Sequence, residues 1–265
     1  MNKLVIVGCG WLGEQLFAHF EELGLLQDWQ WYATRRQFTA PAQLPDKVRR
    51  LSWLGEQDSA DLASCLQDAV WLVAISPGRD RQAYQASLQQ VVHCASAWQC
   101  RQLLLCSSTG VYSQLAGDVN ELSVPVRSNS RVAGLLAAEQ LVLEYPSSTV
   151  LRLAGLFGEE RHPGRFCKSG QLAGAELPVN LVHSHQVAVS IAAWLTQPSP
   201  HQIINVVHPE HPTKQQFYPA AARLYGIEPP MFVPADEPAR CVDSIVPSAQ
   251  VWPSLLQYLQ NIKNL

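Results

Sequence analysis

The chain has 265 residues and a formal net charge of -3, with 47% hydrophobic and 15% charged residues. This length suits one large α/β domain, or a nucleotide-binding domain with a small appendage, and the apolar fraction excludes an intrinsically disordered chain. The charge balance excludes the basic face of a nucleic-acid-binding protein, and no apolar run reaches the roughly 18 residues of a membrane span.

Seven cysteines are scattered along the chain, and none of them forms a Cys-x-x-Cys pair. An odd number without motif spacing favours reduced thiols and argues against both a disulfide framework and a zinc site. The sequence begins with a predicted strand rather than with a signal peptide. We therefore expect a cytoplasmic monomer or homodimer that binds no metal, no nucleic acid and no membrane.

The first predicted element is a buried strand over residues 4–7, and a glycine-rich turn and an amphipathic helix follow it directly. In such a unit Gly8 permits the tight turn, Gly10 lets a pyrophosphate approach the backbone, and Gly13 lets the helix pack close to the strand. The N–H groups at the helix start would bind the phosphates. The alternative is a glycine-rich turn without a ligand. The residues of this segment predicted to contact a dinucleotide are Gly8, Gly10, Trp11, Leu12 and Gly13.

A second strand, predicted over residues 29–34, runs into Thr34, Arg35 and Arg36. Related sheets that bind NAD carry an acidic residue here for the ribose, whereas those that bind NADP place an arginine nearby for the 2′-phosphate. Two arginines stand here and no carboxylate does, and a guanidinium matches a phosphate with two parallel hydrogen bonds. We predict NADP as the cofactor, with NAD as the alternative and these three residues as contacts. A solvated basic loop is the other interpretation.

Strands and helices continue to alternate as far as residue 153. This alternation predicts an α/β fold with a Rossmann-type, doubly wound parallel sheet. Strand ends face the ligand crevice in such a sheet, so Ser76, Pro77 and Ser107 are further candidate cofactor contacts. The predicted elements are a strand over 48–53, a helix over 58–67 capped by Asp58 or Ser59, strands over 69–75 and from 102, helices over 80–98 and 130–144, and a strand over 149–153.

The sequence changes character after residue 153, so we predict two regions. Residues 1–153 form the NADP-binding Rossmann domain, and residues 154–265 form a mostly substrate-side α/β region that partly completes the sheet. The second region is predicted to hold a Gly-rich stretch over 154–178, a strand over 180–183, a helix over 184–195, a strand over 203–207, a helix over 213–225, a proline-rich loop over 227–247 and a closing helix over 248–262.

Several segments, in their order and spacing, resemble the short-chain dehydrogenase/reductase superfamily, and within it the extended nucleotide-sugar epimerases and dehydratases. The Gly-Trp-Leu-Gly and Arg-His-Pro-Gly-Arg-Phe pieces are similar to a bacterial branch of nucleoside-diphosphate-sugar epimerases. The resemblance implies hydride transfer between a nicotinamide and a carbon that bears oxygen. The segments that carry it are 8–13, 107–112, 137–141, 151–158, 180–183 and 204–206.

The chemistry that this family implies needs a Ser or Thr to polarise the substrate oxygen, a Tyr as acid/base, and a Lys four residues after the Tyr. Ser108 falls at the Ser/Thr position. Arg131 falls where the Tyr should be, and Leu135 falls where the Lys should be. The ordinary mechanism therefore cannot be carried over. The catalytic candidates are Ser108, Tyr112 and Arg131, although Tyr112 also suits a packing role.

A basic cluster in the Gly-rich stretch would lie over the crevice and meet an anionic small-molecule substrate, such as a nucleotide-sugar diphosphate. A solvated loop and a structural histidine are the alternatives. The candidate substrate-binding residues are Arg161, His162, Arg165 and His183. Three functions stay open: an NADP-dependent oxidoreductase or epimerase with altered acid/base groups, a non-catalytic NADP(H)-binding redox sensor or scaffold, and a fold relic that binds no nucleotide.

Overall fold

Strands and helices alternate along most of the chain. The computed structural model describes residues 2–38, 44–53, 60–78, 80–127, 129–197, 202–246 and 250–262. The strands are β1 (Lys3–Val7), β2 (Gln30–Arg35), β3 (Arg49–Ser52), β4 (Val70–Val73), β5 (Gln102–Ser108), β6 (Gly117–Val119), β7 (Ser148–Leu153), β8 (Gly155–Phe157), β9 (Gln171–Ala173), β10 (Leu181–His183), β11 (Ile203–Val206), β12 (Met231–Val233) and β13 (Arg240–Val242). The helices are α1 (Trp11–Glu22), α2 (Ala60–Leu66), α3 (Arg81–Ala97), α4 (Ser130–Leu143), α5 (Ser184–Thr196), α6 (Lys214–Leu224) and α7 (Leu255–Asn261).

The central sheet has seven strands in the order β3-β2-β1-β4-β5-β7-β11, and all of its neighbouring strands run parallel. The strand order reverses between β1 and β4, as in a doubly wound sheet. The α/β fold and the Rossmann-type sheet predicted from the sequence are therefore confirmed.

Alternate residues of β1 pack into different cores, because successive side chains of a strand point to opposite faces. Leu4 and Ile6 pack with α1 and α5 on one face. Val5 and Val7 pack with α2, α3 and α4 on the other face. Since both faces are covered by helices, the strand is apolar throughout, which is the pattern that predicted it.

The glycines of the first turn meet different local demands. Gly8 has a φ of +76°, and a Cβ there would lie 2.7 Å from Ile75 Cγ1. A Cβ on Gly13 would lie 2.7 Å from Cys9 Sγ and 3.0 Å from Ile6 Cγ2, so α1 can approach β1 only with glycine there. A Cβ on Gly10 would meet only Gly8 O, at 4.0 Å, which leaves open space over this residue.

The region after residue 153 contributes to the central sheet and also forms a smaller core. Strand β11 pairs with β7, and α5 shares its core with α1. The smaller core lies between the 3-10 helix Pro163–Ser169, α6 and α7, and it includes Phe157, Phe217 and Tyr258. The division into two domains at residue 153 stays a prediction. Within the described residues, no helix is long and apolar enough to cross a membrane.

Several predicted boundaries are wrong. The predicted proline-rich loop contains β12 and β13, and the Gly-rich stretch contains β8 and β9. Each of these strands has three residues and pairs with a segment far away in the chain, so no local alternation marks it. The closing helix covers only Leu255–Asn261 and is capped by Ser254, directly after Pro253. The predicted caps Asp58 and Ser59 lie outside the described residues.

Candidate functional site

A cavity of about 670 Å³ opens at the carboxyl ends of β1, β4, β5 and β7. It lies where the strand order reverses, which is the place where doubly wound sheets bind their ligands. Its volume falls within the range of small-molecule and cofactor sites. The predicted site residues that line it are Gly10, Trp11, Leu12, Ser76, Pro77, Ser107, Ser108, Arg131 and Arg161.

The N-terminus of α1 forms part of the cavity wall, because Trp11 and Leu12 are the first residues of that helix. No side chain caps the helix start, where Gly10 is the N-cap residue. The first N–H groups of a helix lack intrahelical partners and carry the positive end of its dipole. This wall can therefore accept the phosphates of a ligand.

Arg161 lies on the same wall as the start of α1. Its guanidinium carbon is 5.2 Å from the centroid of the Trp11 ring, and Trp11 Nε1 donates a hydrogen bond of 2.7 Å to the carbonyl of Glu159. Partial desolvation, together with the nearby Arg165, lowers the pKa of Arg161. A cation that is disfavoured in this way is better stabilised when an anion enters the cavity.

The other two members of the predicted basic cluster do not line the cavity. Arg165 is exposed and donates a 3.0 Å hydrogen bond to the carbonyl of Glu160. His162 is only 3% exposed; its Nδ1 accepts a 3.0 Å hydrogen bond from the Gly164 N–H, and its ring stacks on Tyr225. Burial lowers the pKa of His162. Both placements argue against the substrate-binding role expected for these two residues.

The end of β2 lies beside the glycine-rich turn. The Thr34 carbonyl accepts a 2.9 Å hydrogen bond from the Cys9 N–H. Arg35 donates from Nε to the Cys9 carbonyl, and its Nη2 pairs with Glu14 Oε1 at 2.6 Å. Arg36 is exposed at the strand end. Glu14 was not among the predicted site residues, although it directly follows the glycine motif in the first turn of α1.

Ser108 and Arg131 lie together on the opposite wall. Ser108 Oγ accepts a 3.1 Å hydrogen bond from the Gly110 N–H, which leaves the hydroxyl hydrogen for a ligand. The Cβ position of Gly110 is 3.2 Å from Ser108 Oγ and 3.8 Å from Arg131 Nη2. Leu135, one helical turn after Arg131, lines the same cavity. The side chains at the Tyr and Lys positions of the resemblance therefore both face the cavity.

Tyr112 is buried away from the cavity, with 0% of its surface exposed. Its hydroxyl accepts a 2.6 Å hydrogen bond from Arg152 Nη1 and donates one of 3.1 Å to Asn205 Oδ1. Burial raises the pKa of Tyr112 despite the neighbouring Arg152. Because its hydroxyl is already bonded and does not reach the cavity, this placement argues against the expected catalytic role and favours the packing alternative.

His183 is also held within the protein. Its Nδ1 accepts a 3.1 Å hydrogen bond from the His185 N–H at the start of α5, and its ring stacks on Tyr258 with centroids 4.4 Å apart. Burial, followed by the neighbouring His19 and His185, lowers the pKa of His183 to about 3. The residue does not line the cavity, so its geometry favours the structural alternative over substrate binding.

A buried ion pair supports the cavity wall from behind. Glu139 on α4 and Arg152 on β7 approach to 2.7 Å, and Ser107 Oγ donates a 2.6 Å hydrogen bond to Glu139 Oε1. Neither charged residue was predicted as part of the site. A signal was present, since each is a charged residue within an apolar segment that carries the family resemblance. Buried charges of this kind are paired.

Three further titratable groups line the cavity, Arg81, Tyr84 and Cys106. Burial raises the pKa of Tyr84, and it raises the pKa of Cys106 to about 12. Neither Tyr84 nor Cys106 exchanges protons near neutral pH. In the described part of the chain, no group of three or more His, Cys, Asp or Glu side chains is arranged to hold a metal ion.

Comparison with known proteins places the chain among proteins of this architecture. No protein-family model matches it. It is 35% identical over 248 residues to protein YeeZ of Escherichia coli strain K12, which covers 88% of this chain and 87% of YeeZ.

Solved structures of the same fold include two complexes with NAD. The UDP-glucuronic acid 4-epimerase of Bacillus cereus has a TM-score of 0.75 at 15% identity, over 98% of this chain and 97% of that one. The dTDP-glucose 4,6-dehydratase of Bacillus anthracis has a TM-score of 0.76 at 14% identity, over 98% and 94%. A conserved protein of unknown function from Silicibacter pomeroyi has a TM-score of 0.74 at 22% identity, over 98% and 97%. At these identities the structures establish the fold.

Proposed function

The chain belongs to the family of the Escherichia coli protein YeeZ and has the fold of the extended short-chain dehydrogenases/reductases, and from this premise we propose that it is an NADP-dependent oxidoreductase or epimerase with altered acid/base groups. Its substrate is a nucleotide-sugar or another small carbonyl compound. One observation carries the proposal: a single cavity brings together the N-terminus of α1, the Ser108 hydroxyl and the Arg131 guanidinium. Solved proteins of this fold were crystallised with NAD.

The residues of this chain fit a dinucleotide. Gly10 leaves the space that a pyrophosphate needs beside the first N–H groups of α1. Arg161 stacks on the first residue of that helix, so its guanidinium is suited to the same pyrophosphate. Ser76 and Pro77, after β4, would contact the cofactor from the other side of the cavity.

The proposed preference for NADP depends on Arg35 and Arg36 at the end of β2. A guanidinium there can bind the 2′-phosphate. The ion pair with Glu14 reduces the positive charge that Arg35 presents, and the Glu14 carboxylate would repel a phosphate at short range. The balance between these arginines and Glu14 therefore sets the preference for NADP over NAD.

When bound, the nicotinamide supplies or accepts a hydride. Ser108 donates a hydrogen bond to the substrate oxygen, and the positive charge of Arg131 stabilises the negative charge that develops on that oxygen. An arginine side chain stays protonated at neutral pH, and Leu135 carries no proton to exchange. In the direction of reduction, a bound nicotinamide would supply the hydride to the carbonyl carbon, and water would supply the proton to its oxygen.

The proposal is tested by mixing the protein with NADPH and following loss of absorbance across sugar-nucleotide and carbonyl substrates. We expect turnover of at least one substrate class. Ser108→Ala should lower kcat/KM by about a hundredfold, as the removal of an oxyanion-stabilising donor does. Ser96→Ala, on an exposed part of α3, is the matched control. Tight NADPH binding without turnover of any substrate would count against an enzyme.

The second candidate is a non-catalytic NADP(H)-binding redox sensor or scaffold. It is favoured by the placement of Tyr112 and His183, which are hydrogen-bonded inside the protein rather than in the cavity. Partner capture with NADPH, with NADP+ and without cofactor tests this candidate. A sensor requires partner capture to depend on the cofactor state, so equal capture in all three conditions would exclude it.

A cytoplasmic location, proposed for either function, is supported by the seven free cysteines.

A further inference from the structure

A second cavity, also of about 670 Å³, adjoins the first cavity, which lies at the carboxyl ends of β1, β4, β5 and β7. It lies between the turn after β5, the first turn of α4 and the segment over residues 234–240. Arg131 lines both cavities. A molecule in the second cavity can therefore contact Arg131, which also lines the first cavity together with Ser108.

Arg240 of β13 supplies a second guanidinium to this cavity. Its Nε is buried and has no hydrogen-bond partner among the described residues, and its Nη1 is 3.5 Å from the Ser113 carbonyl. Burial lowers the pKa of Arg240, although the nearby Glu237 acts in the opposite direction. A buried donor without an acceptor destabilises the protein until a ligand supplies the acceptor.

The acidic residues of the cavity wall do not neutralise this site. Asp236 and Glu237 line the same cavity, and both are exposed. Charges in contact with solvent are screened more strongly than buried ones. The repulsion of an anion by these two carboxylates is therefore screened more strongly than its attraction to the half-buried Arg240 guanidinium.

We propose that the second cavity binds an oxyanion of the substrate, a carboxylate or a phosphate, between Arg131 and Arg240. Guanidinium groups bind both kinds of oxyanion through paired hydrogen bonds. Since Arg131 stands where the family has its acid/base Tyr, the anionic group binds next to the reacting carbon. This last point rests on the proposed function, whereas the oxyanion site itself does not depend on hydride transfer.

The test is calorimetric titration of the NADP+-saturated protein with two probes, UDP for a phosphate source and oxamate for a carboxylate source. We expect at least one probe to bind, and the probe that binds identifies the source. Arg131→Ala and Arg240→Gln should each weaken that binding at least about tenfold. Arg127→Ala, an exposed arginine that lines neither cavity, should leave it unchanged.

Two results would overturn the proposal: no binding of either probe at millimolar concentration, or Arg131→Ala and Arg240→Gln variants that bind as tightly as Arg127→Ala. Arg240→Lys, which keeps the charge and loses the planar fork, guards against a folding defect in Arg240→Gln. It should recover part of the affinity.

A separate titration with NADP+ alone distinguishes the oxyanion site from the proposed function. A protein that binds a probe but no NADP+ refutes the proposed function and leaves the oxyanion site standing.

Discussion

Arg161 contacts the ring of Trp11 and lines the cavity at the carboxyl ends of β1, β4, β5 and β7. Arg165, four residues later, does not line this cavity. We expect Arg161→Ala to weaken NADPH binding about tenfold, because one charge-assisted pair with the pyrophosphate is lost. Arg165→Ala should bind NADPH as the unaltered protein does. The measurement is titration of the protein with NADPH, followed by NADPH fluorescence. Adenosine 2′-monophosphate has no pyrophosphate, so its displacement of NADPH should give equal affinities for the two variants. Equal NADPH affinity in the two variants would reject this role for Arg161.

Glu14 and Arg35 form an ion pair beside the site proposed for the 2′-phosphate. We expect Glu14→Gln to raise the affinity for NADPH relative to NADH about threefold or more, since it removes a carboxylate that repels the phosphate and releases Arg35. Glu21→Gln, two turns further along α1 and exposed, is the control. Fluorescence titrations of the two nucleotides give the ratio, and a ratio that stays constant would mean that Glu14 plays no part in the choice.

At the scale of elements, the start of α5 combines a cap with a buried histidine. The folded state lowers the pKa of His183 to about 3 through burial, below its ordinary value of about 6.5. Below pH 6.5 the unfolded chain therefore binds a proton that the folded chain does not. His183 stabilises the fold above that pH, and the contribution falls by about 1.4 kcal/mol per pH unit between pH 6.5 and 3.

We expect His183→Asn, which keeps a good capping acceptor, to flatten the loss of stability between pH 6.5 and 4. Urea unfolding at several pH values measures it. His93→Asn, exposed on α3, should retain the full dependence. His19 and His185 lie beside His183 and also have lowered pKa values, so part of the slope should persist in the variant. An unchanged slope would show that His183 does not carry the effect.

Most elements of the first 153 residues could be predicted, because strands such as β1 and β4 are continuous apolar runs buried on both faces. The fold that the family resemblance implies is confirmed by solved structures of the same fold. The five unrecognised strands β6, β8, β9, β12 and β13 differ from these. They are short, and their pairings join residues that are distant in the chain, so the information that specifies them is not local.

At the scale of the whole molecule, the pair of Glu139 and Arg152 joins α4 to β7, and Tyr112 and Asn205 extend the hydrogen bonds to β11. We expect Glu139→Gln to lower the free energy of unfolding by about 3–5 kcal/mol, because Arg152 is left as an uncompensated buried charge. Glu144→Gln, exposed at the end of α4, should change it by less than about 0.5 kcal/mol. A loss below about 1 kcal/mol, measured by urea unfolding, would mean that Arg152 finds another partner.

The site could be predicted most fully where it depends on the backbone, although the predicted side chains Ser108, Arg131 and Arg161 also line the cavity. The glycine-rich turn follows from the sequence, because its residue types are imposed by the geometry of one strand, one turn and one helix. The side chains around the substrate could not be derived in the same way. The pairing of β13 with β6 places Arg240 at the second cavity. A hydrogen bond from Arg152 holds the Tyr112 hydroxyl outside the first cavity. Both placements depend on tertiary contacts.

Glu121, two residues after β6, accepts hydrogen bonds from the Asn205 N–H at 2.7 Å, from Ser244 Oγ at 2.6 Å and from the Ile245 N–H at 2.9 Å. These donors leave the ribosome long after Glu121 does. During synthesis, a nascent chain can therefore assemble β1 and α1 early, while one wall of the second cavity is still missing. The residues that line the first cavity end at Arg161, whereas the second cavity also needs residues 234–240, so the chain that completes the second cavity is synthesised later.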